Sequence, residues 1–467
     1  MTILTVGPTS DFPTIAAAMQ AAGPGDTIRL EAGYSNETAT ITYSGMTIFG
    51  GAGSLGITLN LGVGIATVTL TGNAPIRIND GGGGNGIVGN AGNNVILVSN
   101  GVDAVNGGLG VDRLIVDYRQ ALGAVSGDST SNFSEAGGGG RTVTITSGTI
   151  EHFTILTGAG TDTITTGAGN DIIRTGAGAS TVSAGQGRNN ISGGGSADTI
   201  TALDGGNTIR AGHGANTVTT GAGADFIFTG TGADTIVSGG GVDRIYVMGG
   251  ADSVNAGAGA DRLIIDYAAK STNVTGGVTG GNGLTGYVGH IADLAGSFVD
   301  FQASESFTIV TGSGNDMLTT GAGADILRGN DGNDRLYGGG GNDHLYGGNG
   351  SDHLRGGRGA DVLTGGAGAD LFIFGTVEEA SLGVGDDRIT DFQVGIDHIY
   401  LVGIDANANA AGNQSFNFIG AAQFTSVAGQ LRYAGGLVRG DVNGDGLADF
   451  TIDIGLVSGL NSGDFVL

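Results

Sequence analysis

The chain has 467 residues, 99 of them glycine and none cysteine, so disulfides cannot stabilise it. Lys plus Arg total 18 against 44 Asp plus Glu, a net charge of −26, which argues against nucleic acid and anionic lipid surfaces as partners and makes cations the natural ones. No stretch approaches the roughly 18 uninterrupted apolar residues of a membrane helix, so membrane insertion is not expected, and the opening Met1-Thr2-Ile3-Leu4-Thr5-Val6-Gly7-Pro8 lacks the basic and apolar regions of an N-terminal signal peptide.

In residues 1–79, Asp11-Phe12-Pro13 leads into a short helix predicted over 14–22, and Gly23-Pro24-Gly25-Asp26 turns the chain into a strand at Thr27-Ile28-Arg29-Leu30. Further strands are predicted at 38–42, 46–49 and 66–70, with the helix placed to cap an open coil end. This segment resembles the start of pectin-lyase-like right-handed β-helices, over roughly 75 residues.

From residue 80 to 115 the chain divides into four degenerate nine-residue units, DGGGGNGIV, GNAGNNVIL, VSNGVDAVN and GGLGVDRLI. Twelve units follow in residues 157–264, from TGAGTDTIT to AGAGADRLI, and seven in residues 311–373, from TGSGNDMLT to GGAGADLFI. All fit G-G-x-G-x-D-x-U-x with U apolar, a periodicity that argues against the disorder glycine richness alone would permit. Glycine lets the first six residues turn tightly and brings backbone carbonyls close together. The last three alternate as a strand, so U alone faces inward: Ile164, Ile173, Ile200 and Ile227 in the long array, Leu318, Leu336 and Leu354 in the later one.

One unit therefore makes a turn and a strand, two make a coil, and the sixth-position Asp stacks on the Asp two units away. Coils about 4.8 Å apart place carboxylates where each pair repels by roughly 3 kcal/mol at an effective dielectric near 20. Oxygen ligands without His or Cys favour Ca²⁺, and binding is then coupled to folding. The candidate ligands are Asp225, Asp234, Asp243, Asp252 and Asp261 in the long array and Asp316, Asp325, Asp334, Asp343, Asp352, Asp361 and Asp370 in the later one. A further set comprises Asp162, Asp171, Asp198, Asp103 and Asp112. In the middle of the long array the sixth position becomes Ser180, Asn189, Asn207 and Asn216, which removes ligand charge and repulsion together; Asn hydrogen bonding and the apolar stack would hold that stretch without metal. The sixth residue is Asp in two of four, eight of twelve and seven of seven units, so calcium dependence is expected to be strongest toward the C-terminus. The units resemble the repeats-in-toxin family, whose nonapeptides wind into a parallel β-roll with Ca²⁺ in the turns.

Residues 116–156 and 265–310 read as spacers of about forty irregular residues that cap one roll and start the next, with ligand-binding loops as the alternative. They form a duplicated module. Asp112-Arg113-Leu114-Ile115-Val116-Asp117-Tyr118 enters one and Asp261-Arg262-Leu263-Ile264-Ile265-Asp266-Tyr267 the other; Glu151-His152-Phe153-Thr154-Ile155-Leu156 and Glu305-Ser306-Phe307-Thr308-Ile309-Val310 leave them. Their Tyr and Phe residues are expected to form satellite cores.

After Ile373 the repeat stops. The segments starting at Asp386, Ile396, Gly429 and Gly440 within residues 374–467 resemble the C-terminal domain of serralysin-type secreted proteases. Asp441, Asn443, Asp445, Gly446 and Asp449 have the spacing of an EF-hand-type loop whose bidentate Glu is replaced by Ile452, open to reading as a calcium site or as a hydrogen-bonded turn. The closing Asp464-Phe465-Val466-Leu467 resembles the uncleaved C-terminal signal of type I secretion substrates, which implies a chain kept unfolded in low-calcium cytosol and exported by type I secretion machinery without an N-terminal signal.

The expected fold is all-β: a right-handed parallel β-helix or β-roll solenoid with a short N-terminal capping helix and a small C-terminal β domain. None of His152, His213, His290, His344, His353 and His398 lies in H-E-x-x-H, and His344 and His353 read as exposed residues beside the turns. Residues 1–79 offer only Arg29, Glu31, Arg77 and scattered acids to a polysaccharide lyase or epimerase. No catalytic residue is assigned. The expectation is a secreted or cell-surface calcium-binding structural, surface-layer, matrix or adhesive protein, with self-assembly through coil ends and the face around residues 175–219, or an extracellular polysaccharide, as its partners; a polysaccharide-modifying enzyme is the alternative.

Overall fold

The structure, a computed structural model, describes residues 1–137, 139–380 and 387–467; Asp386, which opens the first serralysin-like segment, lies outside the described residues. The chain forms two compact units, Met1–Gly230 and Thr231–Leu467, and each is a solenoid of short parallel strands.

In the first unit the helix spans Ile15–Ala21, with Thr14 as its cap and Ala22 already extended. Thr14 Oγ1 accepts the Ala17 amide at 3.1 Å, and the Glu37 carboxylate accepts those of Ile15 (2.8 Å) and Ala16 (3.0 Å), satisfying helix-start donors that have no partner within the helix. Ile15, Ala18 and Met19 are buried. The expected strands form at Thr27–Leu30, Thr38–Ile41, Met46–Gly50 and Thr67–Gly72, and Ile3–Val6, Ile57–Leu61 and Ile76–Asn79 join them. Thr27 sits opposite Thr47 and Met46 opposite Val68, a longer coil than the one that follows, where Arg77 faces Val95.

The nonapeptide coils keep strict register. Thr163–Thr165 pairs with Thr181–Ala184, which pairs with Thr199–Ala202, so Ile164, Val182 and Ile200 stack in line. Threonines on both sides of Ile164 point to solvent while Ile164 is fully buried, the period-two pattern of a strand. In the second unit Leu318, Leu336 and Leu354 stack likewise, and all three are buried.

The two spacers are not irregular. Residues Val125–Asp128, Asn132–Glu135 and Thr142–Ile145 form an antiparallel meander whose last strand pairs in parallel with Val102–Asn106 and whose first pairs with Thr163–Thr165. In the second unit Val274–Asn282, Gly286–Asp293 and Phe298–Ser304 repeat the arrangement between Ala251–Asn255 and Met317–Thr319. On the opposite sheet the stack passes straight through, Arg113–Asp117 on His152–Leu156 and Arg262–Asp266 on Ser306–Val310. Each insertion thus adds an antiparallel strand within one sheet of a continuous roll instead of ending it. Tyr118 and Tyr267 are fully buried, and Phe133–Phe153 and Phe301–Phe307 ring pairs, 6.0 and 5.0 Å between centroids, fill the cores of the insertions.

The roll also continues past Ile373. Asp387–Ile389 pairs with Val362–Ala367, and His398–Tyr400 with Leu371–Ile373; in sequence, residues 382–390 (LGVGDDRIT) keep the glycines of the second and fourth positions together with D-x-U, and residues 392–400 (FQVGIDHIY) keep the fourth. An antiparallel sheet of Gln430–Ala434, Leu437–Asp441 and Phe450–Asp453 joins Asp387–Ile389, and Phe465–Val466 lies parallel on His398–Tyr400.

Candidate metal sites

In the last four units of the later array the backbone is left-handed at the second and fourth positions and requires glycine there. Gly339 and Gly341, for example, have φ of 103° and 111°, where a side chain is strained. The turn they make delivers the sixth residue to the inner edge of the coil, and Asp316, Asp325, Asp334, Asp343, Asp352, Asp361 and Asp370 are all buried, at 1% exposure or less.

One oxygen of each carboxylate is committed to the backbone. The amide of Asp316 donates to Asp334 Oδ1, Asp325 to Asp343, Asp334 to Asp352 and Asp343 to Asp361, each at 2.8 Å, and Asp352 to Asp370 at 2.9 Å. The sequence spacing is 18 residues in every case, so the expected two-unit coil is present. The first members of each stack reach the strands of the insertion and its exit: Val274 donates to Asp316 at 2.6 Å and Phe307 to Asp325 at 2.7 Å.

The other oxygen has no donor. Oδ2 of all seven is buried without a hydrogen-bond partner, although an unpaired buried polar group is costly and a charged one more so. Burial, the largest influence, raises the Asp343 carboxyl to about 8, with the Asp325 and Asp361 charges adding to it; Asp334 rises to about 7, and Asp352, Asp361 and Asp370 to about 6.

The coils with Asn at the sixth position show what the second atom faces. Asn207 uses Oδ1 as the Asp residues do, accepting the Asn189 amide at 3.1 Å. Its Nδ2 donates to the carbonyls of Leu203 (2.9 Å) and Gly205 (2.8 Å), the second and fourth residues of its own turn. Asn189 and Asn216 do the same with Gly185 and Gly187, and with Gly212 and Gly214. Where Asn places an NH₂ against two carbonyls, Asp places an acceptor. A cation resolves that conflict. Among the described residues no three His, Cys, Asp or Glu side chains converge, so such an ion would take most ligands from backbone carbonyls, the all-oxygen, adaptable shell that suits Ca²⁺.

Of the other long-array candidates, Asp225, Asp234, Asp243, Asp252 and Asp261 are buried, and the amides of Asn207, Asp234 and Asp243 donate to Asp225, Asp252 and Asp261 at 2.6, 3.0 and 2.7 Å. Burial raises Asp252 and Asp261 to about 7. Asp103, Asp112, Asp171 and Asp198 repeat the pattern, each Oδ1 accepting an amide and each Oδ2 lacking a partner. Asp162 differs, because its Oδ2 accepts the Thr157 hydroxyl.

Four carboxylates extend the stacks beyond the nonapeptides. The Asp112 and Asp261 amides donate to Glu151 and Glu305 Oε2 at 2.7 and 2.8 Å, and those of Asp361 and Asp370 to Asp387 and Asp397 Oδ1 at 2.8 and 3.0 Å. The signal for the two Glu residues was the alignment of Glu151-His152-Phe153 with Asp112-Arg113-Leu114; for Asp387 it was the out-of-phase unit LGVGDDRIT of residues 382–390, and for Asp397 it was Gly395 with D-x-U. Asp397 closes its stack, since its Oδ2 accepts the Gln393 amide at 2.8 Å.

The loop at residues 441–449 is internally satisfied. Asp441 accepts the amides of Gly444 (2.6 Å) and Gly446 (3.0 Å), Asp449 accepts Val442 N (2.6 Å) and Asn443 Nδ2 (2.7 Å), and Asp445 accepts Leu447 N (2.8 Å). These oxygens already serve a hydrogen-bonded turn.

His344 is exposed and lies 6.5 Å from the Tyr346 ring, and His353 is half-buried. Arg29 lies over Phe49 at 5.2 Å, Glu31 accepts from Thr9 and Ser10, and Arg77 donates to Asn79 at 2.9 Å.

Residues 80–114, 154–182, 174–209, 201–236, 228–263, 310–345 and 346–376 match the RTX calcium-binding nonapeptide repeat. Repeats of this kind bind Ca²⁺ in multiple copies. No curated protein matches the chain.

Proposed function

We propose that this is a secreted protein whose folding is coupled to Ca²⁺ and which acts outside the cell as a structural, surface-layer, matrix or adhesive component. The observation that carries this reading is the ladder of buried, donor-less Oδ2 atoms from Asp316 to Asp370, beside coils in which an Asn amide fills the equivalent place. Calcium ions held along the stacks Asp316–Asp370 and Asp225–Asp261 neutralise carboxylates that otherwise repel. The serralysin-like C-terminal segments and the export-signal-like terminus fit passage through type I secretion machinery as an unfolded, calcium-free chain. A net charge of −26 keeps that chain expanded where calcium is scarce.

Circular dichroism during a Ca²⁺ titration, repeated after chelation, tests the coupling: β content should rise with Ca²⁺ and fall when it is removed. Identical β content and melting temperature in both conditions would refute it. Light scattering at millimolar Ca²⁺ tests the structural role, which predicts assemblies larger than one chain.

A further inference from the structure

The first residue of each unit sorts the candidate sites in a way the sixth does not. Gly329, Gly338, Gly347, Gly356 and Gly365 lead the last five units, yet none has the left-handed φ of its neighbours at positions two and four. The backbone does not require glycine there; space does. A Cβ on Gly338 would fall onto Asp343 Oδ2 and lie 2.7 Å from the carbonyl of Gly356, and a Cβ on Gly329 or Gly347 would meet the same two groups of its own unit and the next coil. The bare α-carbon thus keeps a gap open between a buried, unpartnered carboxylate oxygen and a backbone carbonyl.

In four units that lead with a hydroxyl, it reaches the carbonyl on the far side of that gap. Thr320 Oγ1 donates to the Gly338 carbonyl at 2.6 Å, Thr311 to Gly329 at 3.0 Å, Thr175 to Gly193 at 2.8 Å and Ser238 to Ala256 at 2.7 Å. Thr157 turns the same hydroxyl onto Asp162 Oδ2. A side chain here occupies the space and uses the carbonyl that an incoming cation would need.

We infer that the first position gates cation entry: Gly-led Asp units form open sites, and Thr- or Ser-led Asp units are plugged by their own hydroxyl and coil without an ion. The inference rests on the calcium reading above and refines it. Of the seven Asp units in the later array, Asp316 and Asp325 are then closed and the five from Asp334 to Asp370 open, and the Ser-led unit of Asp243 is closed as well.

The full-length chain should be saturated with Ca²⁺ and the bound ions counted by equilibrium dialysis, with folding followed by circular dichroism. The double variant Gly338→Thr/Gly347→Thr should lose two ions per chain, and Thr320→Gly should gain one. An unchanged count in both variants overturns the gate while leaving calcium binding intact. If the unsubstituted chain binds no Ca²⁺, the parent reading fails first and the gate with it. Should the double variant not fold, Thr320→Gly decides: a gain supports the gate and no gain overturns it.

Discussion

The coils at residues 180–216 and those at residues 334–370 share one backbone and solve one problem oppositely. Both turn through glycines, both stack a single apolar residue per strand, and both let a sixth-position oxygen accept an amide 18 residues earlier. In the first stretch Asn supplies its own donor to the carbonyls of the turn. In the second, Asp supplies a further acceptor and leaves the turn short of positive charge. Under the calcium coupling proposed above, dependence then differs between the two stretches and is set one side chain at a time.

Chelation should break this comparison most visibly. Metal-free, the coils at 334–370 carry several buried carboxylates in line, a repulsion on the scale of a domain's whole stability of about 5–15 kcal/mol. Hydrogen exchange should show amides of residues 329–373 losing protection on calcium removal while those of residues 181–212 keep most of theirs. Equal loss in both stretches would mean that the Asn amides do not replace the ion.

Acid should partly substitute for calcium. The raised carboxyls of Asp334, Asp343, Asp252 and Asp261, at about 7 to 8, contrast with an ordinary value of 3.8, so the fold binds protons that the unfolded chain has released. The sign follows: their contribution to metal-free stability is fully present below pH 3.8 and is lost as pH rises through about 8. A metal-free sample should accordingly melt at a higher temperature at pH 5 than at pH 8. With saturating Ca²⁺ the order should reverse, because the ion competes with the protons for the same oxygens.

Much of this was legible in the sequence, because a nonapeptide repeat fixes period, inward residue and turn glycines together. Ile164, Leu318 and the Asp stack fall where the pattern puts them. The insertions were not legible, since their strands at Val125–Asp128 and Val274–Asn282 carry Gly and end in Asp or Asn and form by pairing with neighbouring coils, a tertiary influence that local pattern misses. The strands beyond Ile373 were missed for a different reason: residues 382–390, LGVGDDRIT, keep the glycines, the Asp and the apolar residue of a unit, but the eight residues 374–381 put them out of phase with the array. The role of the first position needed coordinates, because glycine there looks like every other glycine until its φ is known.

The smallest expected effects come from exchanging the two solutions at single positions. Asp343→Asn should place an amide against the carbonyls of Gly339 and Gly341, as Asn207 does with Leu203 and Gly205, while its oxygen still accepts the Asp325 amide. Metal-free stability should rise by about 1 kcal/mol for the hydrogen bonding gained, and stability in calcium should fall as one ion is lost. Asn207→Asp runs the other way: it removes three donated bonds, to Leu203, Gly205 and Asp225, and buries a charge beside Asp225, at a cost of about 1–3 kcal/mol without metal. Calcium should restore less than that cost, because Ala202 at the first position of this unit puts a methyl group where the later array has bare glycine. Full rescue of Asn207→Asp by calcium would show that the sixth residue alone sets calcium dependence.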